Sequence, residues 1–233
     1  MFYEPSITPH QNTHTLNPNE SKHILRVLRK QVGDSIKITN GLGDAFEAKI
    51  IAVKSKQCQI NIISHFYEKP LPYQLHIGIA PPKSADRFEF FLEKATELGI
   101  SEISPLICKN SERKRLNFSR CEKIIQSAMK QSLRLYMPKL NPIISFEEFV
   151  KIKFDNYTKL IAHCENDKKH PIRDKINQAD KFCVLIGPEG DFSLSEIETA
   201  INLNFSPISL GNKRLRTETV AITVCQALAL LKY

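Results

Sequence analysis

The sequence predicts an α/β fold in two parts, a small β-barrel or sandwich domain over residues 1–70 and a parallel-sheet α/β domain over residues 71–233. Three observations predict it. Residues 35–67 read as three short strands, SIKIT, AFEAKIIAV and CQINIISHFY, at the spacing of hairpins. The segment EKPLPY (68–73) then breaks both strand and helix periodicity, because Pro70 and Pro72 offer no backbone N–H to a ladder or a helix. Beyond it apolar strands alternate with capped amphipathic helices, the pattern of a parallel sheet covered by helices.

Ahead of the first strands, ESKHILRVLR (20–29) has helical spacing, with Ile24, Leu25 and Leu28 directed inward and Lys22, Arg26, Arg29 and Lys30 outward. A turn over 41–44 and the polar KSKQ turn (54–57) join the three strands. In the second part, QLHIGIA (74–80) leads to a helix over 86–98 in which Phe88, Phe91, Leu92 and Ala95 share a face, Asp86 and Glu89 form a capping box, and Gly99 ends the helix. There follow strand ISEISPLIC (100–108), helices begun by Ser119 with Glu122 and by Ser145 with Glu148, and strands TKLIAHC (158–164) and KFCVLIG (181–187). A helix begun by Ser193 with Glu196, strand PISLG (207–211) and a final helix over 220–231, apolar almost all round, complete the chain.

Composition narrows the function classes. No run of about 18 apolar residues offers a membrane span, and the amino terminus has no basic patch followed by an apolar stretch, so the expectation is a cytoplasmic protein with no membrane partner. The six cysteines form no CxxC pair, which predicts neither a metal site nor a disulfide framework and leaves them reduced and mostly buried. A formal charge of +8 favours a polyanionic partner, since each neutralised phosphate releases condensed counterions.

Two loops carry the chemical signal. LIGPEGDFS (185–193) leaves a buried strand and enters a capped helix, and its glycines let backbone groups approach a ligand. Neither GxGxxG nor GxxxxGK is present, so the common dinucleotide and phosphate cradles are not supported. SLGNKRLRTETVA (209–221) also follows an apolar strand and leads into a helix. On open α/β sheets ligands sit beyond the carboxyl ends of the strands, where both loops begin.

Taken together, LIGPEGDFS and SLGNKRLRTETVA resemble the RsmE family of small-subunit (16S) ribosomal RNA uridine N3-methyltransferases, of the SPOUT superfamily. Supporting matches are HILRVLR (23–29), EKATELGISEISPL (93–106), SERK (111–114) and AMKQSLRLYMPKL (128–140), so the resemblance spans almost the whole chain. It implies an N-terminal PUA-like RNA-binding β-barrel, a C-terminal SPOUT α/β domain with a parallel sheet and trefoil knot, S-adenosyl-L-methionine as cofactor, and a homodimer. The chain departs from the family pattern at Asp191, where glycine is usual, at Lys213 and Arg214, where apolar residues are common, and at Val220, where alanine is usual.

The two loops nominate Ile186, Gly187, Pro188, Glu189, Gly190, Leu210, Gly211, Leu215, Arg216, Thr217 and Glu218 as cofactor-binding. Methyl transfer from a sulfonium needs the acceptor in line with the S–CH3 bond. The N3 of uracil must also lose its proton, through a base or through donors that stabilise negative charge on the flanking carbonyl oxygens. Arg216 is the catalytic candidate for the second role, a guanidinium having fixed donors and permanent charge; a phosphate anchor or a partner for Glu218 are its competing roles. Glu189, Glu218 and His163 are bases by residue type alone. For RNA, Arg26, Arg29 and Lys30 mark the first domain, and Arg113, Lys114, Arg115 and Arg134 belong to a basic stretch opposed in sequence only by Glu112 and Glu122. The partner expected is small-subunit ribosomal RNA or the assembled subunit; the alternative function is a non-catalytic RNA-binding ribosome-assembly factor.

Overall fold

The computed structural model describes residues 1–165, 168–177 and 179–232. They form two compact units, Met1–Pro70 with Met129–Met137, and Leu71–Ala128 with Pro138–Tyr233.

The first unit is a five-stranded sheet of order β1-β3-β4-β5-β2, with β1 at Phe2–Tyr3, β2 at Thr13–Thr15, β3 at Ser35–Thr39, β4 at Asp44–Lys54 and β5 at Gln57–Tyr67. Two irregularities of register in β4, at Glu47/Ala48 and Ile50/Ala52, curl it as bulges do. Alternate residues Ile36, Ile38, Phe46, Ala48, Ile50, Cys58 and Ile60 fill one core with Phe2, Ile7, Leu16 and Ile24. Ser55 and Lys56 close the β4–β5 hairpin with φ of 50° and 66°, the paired left-handed geometry that suits strand twist.

The amphipathic stretch expected over 20–29 is shorter and less regular. Helix α1 covers Pro18–Lys22, with Asn17 as its side-chain cap, and a π turn covers His23–Val27. The extra residue in that turn shifts the phase of the face. Ile24 stays buried, whereas Leu28 rotates out to 49% exposure, and Arg29 ends the turn at φ 53°. Glu20 is buried and paired to Lys130 at 2.6 Å, within the same unit.

The second unit is an eight-stranded sheet with every described strand pair parallel. Its strands are β6 (Gln74–Ile79), β7 (Glu102–Ile107), β8 (Lys139–Leu140), β9 (Ile144–Ser145), β10 (Thr158–Ala162), β11 (His170–Pro171), β12 (Lys181–Ile186) and β13 (Ser206–Ser209). The order is β11-β13-β10-β12-β6-β7-β8, with β9 also on β7. Strands β6 and β12 are buried along nearly their whole length, as parallel strands covered on both faces must be.

The helices are α2 (Ala85–Leu98), α3 (Phe118–Gln131), α4 (Phe146–Phe149), α5 (Ile172–Ile176), α6 (Leu194–Asn202) and α7 (Thr217–Lys232). Helices α2 and α7 pack together. Phe146, Phe149, Phe192, Ile197, Ala200 and Phe205 build a core with Leu106, Ile161, Cys183 and Leu185 of the strands.

Helix starts differ in part from the expected capping boxes. Ser145 with Glu148 and Ser193 with Glu196 form reciprocal boxes. Helix α2 begins after Ser84, and Glu89 pairs with Arg120 instead of closing a box. At α3 the Asn117 carboxamide accepts the Arg120 N–H at 3.1 Å, so the cap lies two residues before Ser119. Five cysteines are buried and Cys164 is exposed; all six are free. Helix α7 buries Ala221, Val224, Cys225 and Leu228 and leaves Leu230 and Leu231 exposed in the single chain.

Candidate functional site

Strands β13, β10 and β12 are sheet neighbours running parallel, so the loops after Ser209, Ala162 and Ile186 emerge side by side at their carboxyl ends. Together they line a cleft of about 590 Å³. The two glycine-bearing loops are joined directly: the buried Thr217 hydroxyl donates to the Gly187 carbonyl at 3.1 Å. Of the residues nominated from sequence, Ile186, Gly187, Pro188, Glu189, Leu210, Gly211, Leu215, Arg216 and Thr217 line this cleft. Gly190 and Glu218 do not.

The glycines have packing reasons of their own. A Cβ on Gly187 would stand 3.0 Å from the Phe192 ring, and one on Gly190 would stand 3.3 Å from Asn110 Cβ. Gly211 has φ 134° with open space around it, so backbone conformation alone selects glycine there.

Asp191 explains its own departure from the family pattern. Its φ is 61°, a conformation free of cost for glycine and tolerated by aspartate. In exchange, the carboxylate accepts the Cys164 N–H at 2.6 Å and the Phe192 N–H at 2.8 Å. The loop after β10 is thereby tied to the loop after β12. Asn110 ties in a third segment, donating to the Gly190 and Asp191 carbonyls at 3.1 Å each.

A second set of bonds holds Glu189 and Glu218. The Lys83 N–H donates to Glu189 Oε1 at 3.0 Å, and Arg87 of α2 lies 4.0 Å from that oxygen and 3.9 Å from Glu218 Oε1. Glu218 is 6% exposed, and its Oε2 has no hydrogen-bond partner among the described residues. Arg216 is exposed in the cleft, and the Glu218 carboxylate pairs with Arg87 and, among the described residues, not with Arg216. Arg87 gave no signal in the sequence, where it reads as one more outward helix cation.

The basic stretch after β7 is more neutralised than its sequence suggests. Arg113 donates to the Pro82 and Lys83 carbonyls, bracing the turn that holds Glu189. Arg120 is paired with Glu89 and Lys139 with Glu102, acids distant in sequence. Lys114 and Arg115 are exposed, as are Arg26 and Arg29 of the first unit, where Lys30 donates to the Ser35 carbonyl at 3.1 Å; Arg134 is half-buried in that unit.

The family model described as "RNA methyltransferase domain" matches residues 69–229, and that described as "RNA methyltransferase PUA domain" matches residues 16–63. The chain belongs to the RNA methyltransferase family. Among its relatives, ribosomal RNA small subunit methyltransferase E of Buchnera aphidicola subsp. Acyrthosiphon pisum is 30% identical over 219 residues, 90% of this chain and 85% of that one. The protein of the same name from Synechocystis sp. is 30% identical over all of this chain and 79% of its own length. The crystal structure of ribosomal RNA small subunit methyltransferase E from Neisseria gonorrhoeae, bound to S-adenosyl methionine, superposes with a TM-score of 0.87 at 28% identity, covering 99% of this chain and 96% of that one. Within this RNA methyltransferase fold, the curled N-terminal sheet is the PUA part and the parallel sheet the methyltransferase part.

The cleft suits a nucleoside-bearing cofactor. Its volume falls within the range of small-molecule sites, and Ile186, Pro188, Ile208, Leu210, Leu215 and Val220 supply apolar wall beside main-chain polar groups.

Proposed function

We propose that this chain transfers a methyl group from S-adenosyl-L-methionine to N3 of a uridine in small-subunit ribosomal RNA. The observation that carries the reading is the Thr217–Gly187 hydrogen bond, which makes one cleft of two loops at the carboxyl ends of a parallel sheet. The names of the relatives and the cofactor in the Neisseria structure support it.

The cofactor supplies an electrophilic methyl on a sulfonium, needing neither a metal nor a covalent enzyme intermediate. The backbone of 186–189, 210–211 and 215–217 would hold its adenosyl part against the apolar lining. Arg216 faces the cleft without a carboxylate partner among the described residues, so its donors are available to a uracil carbonyl as negative charge develops there. Glu189 also lines the cleft, held by the Lys83 N–H. Arg26, Arg29, Lys30, Lys114, Arg115 and Arg134 carry RNA phosphate contacts, with Arg113 serving as a brace. The trefoil threading of the carboxyl-terminal segment, the homodimer and a cytoplasmic location belong to the same reading.

The test is incubation with labelled S-adenosylmethionine and small ribosomal subunits lacking the modification, followed by mapping of the modified base. Label on uridine N3 is expected. Binding of RNA with no transfer of label would favour an assembly factor without catalysis.

A further inference from the structure

We propose that Lys169, Lys213 and Arg214 form a phosphate-holding rim on the cleft, seating the RNA backbone beside the nucleotide that is methylated. The proposal rests on the cleft being the site described above, and it names the part of the substrate that this corner of the cleft takes.

All three cations line the cleft, from segments on either side of β13. None has a carboxylate oxygen within 4.0 Å among the described residues. The two acids of the cleft, Asp191 and Glu189, offset only part of this charge, because with Arg216 the lining carries four cations. Both oxygens of Asp191 accept backbone N–H groups, and Glu189 is held by the Lys83 N–H beside Arg87. Lys169 and Arg214 converge on one corner: burial and Asp191 push the Cys164 thiol up, while Arg214 and Lys169 both act to pull it down.

The cofactor does not account for this surplus. S-adenosylmethionine carries a sulfonium and an ammonium against a single carboxylate, so it is a net cation, and added positive charge at its site weakens its binding. A polyanion gains from the same charges. Low-dielectric walls focus their field on a phosphodiester at the mouth, and the same field favours the uridine anion formed when N3 loses its proton. Charge complementarity therefore selects RNA backbone over cofactor as the occupant.

The test uses the full chain and two variants, Lys213→Ala/Arg214→Ala and Lys213→Glu/Arg214→Glu, both in an exposed loop. Binding of small ribosomal subunits lacking the modification is measured over a salt series without cofactor, and S-adenosylmethionine affinity is measured by calorimetry without RNA. The alanine pair is expected to lose about tenfold or more in RNA affinity, and its log–log salt slope to fall by roughly two, one for each cation. The glutamate pair should lose more, and in both variants cofactor affinity should hold or increase. An unchanged slope, or a loss of cofactor affinity with RNA binding intact, overturns the rim. A wild-type chain that binds no S-adenosylmethionine, while the variants still lose RNA affinity, supports the rim and overturns the methyltransferase reading.

Discussion

Thr217 and Gly187 are thirty residues apart in sequence and meet at 3.1 Å, hydroxyl to carbonyl, at the point where α7 begins and β12 has just ended. The bond is buried, so its loss leaves a carbonyl without its donor. Thr217→Val keeps the shape and removes that donor. It should cost about 1–3 kcal/mol in denaturant unfolding and weaken S-adenosylmethionine binding in calorimetry. Wild-type values for both would show that the two loops hold their places without it.

Gly187→Ala tests whether glycine serves packing. The added methyl meets the Phe192 ring at 3.0 Å and the Phe192 backbone nitrogen at 3.1 Å, and ring and backbone cannot both yield easily. A loss of about 1–3 kcal/mol is expected by thermal or chemical unfolding. Neutral stability with lost cofactor binding would assign the glycine to ligand approach instead.

Arg216→Ala separates binding from chemistry. If its guanidinium stabilises charge developing on the uracil, kcat should fall by about 10²- to 10³-fold. S-adenosylmethionine affinity should change much less. Equal losses in RNA affinity and kcat/KM with kcat intact would make Arg216 a phosphate anchor.

Leu133 is an exposed leucine at φ 59°, placed where α3 ends and the Arg134 N–H returns to the Met129 carbonyl at 3.1 Å. That bond is the closing bond of a left-handed helix cap, a position that favours glycine. Leu133→Gly removes the left-handed penalty and little buried surface, so a gain of about 1 kcal/mol is expected by chemical denaturation. A loss would mean that the leucine side chain contributes more packing than its exposure indicates.

His76 makes stability depend on pH. Burial, opposed by Glu102 and aided by Lys139, lowers its pKa from 6.5 to about 4, and its Nε2 lies 2.8 Å from Ser104 Oγ. The unfolded chain therefore takes up a proton that the folded chain refuses between those two values. Stability should fall as pH drops from about 6.5 towards 4, by a few kcal/mol at most. His76→Gln should flatten that part of the profile; an identical profile would place the titration elsewhere.

Much of the fold was legible because it rests on short-range rules. Alternation in SIKIT and AFEAKIIAV, unbroken apolar runs in QLHIGI and KFCVLI, the Ser145 and Ser193 boxes and the left-handed Gly99 all act within a few residues. The same rules failed where a longer contact competed. Glu89 left its expected box for Arg120, and a π turn carried Leu28 out of the face that helical periodicity gave it.

By itself the sequence determined the two-part α/β layout, the two glycine-bearing loops after apolar strands, and through their resemblance the family. Only the tertiary structure decided that Thr217 closes on Gly187, that Asp191 binds the Cys164 amide, that Arg87 stands between Glu189 and Glu218, and that Arg113 braces a turn. Periodicity and capping follow from the chain's immediate neighbours, whereas these contacts join segments far apart in sequence that meet only in the order β13-β10-β12-β6-β7 of the assembled sheet.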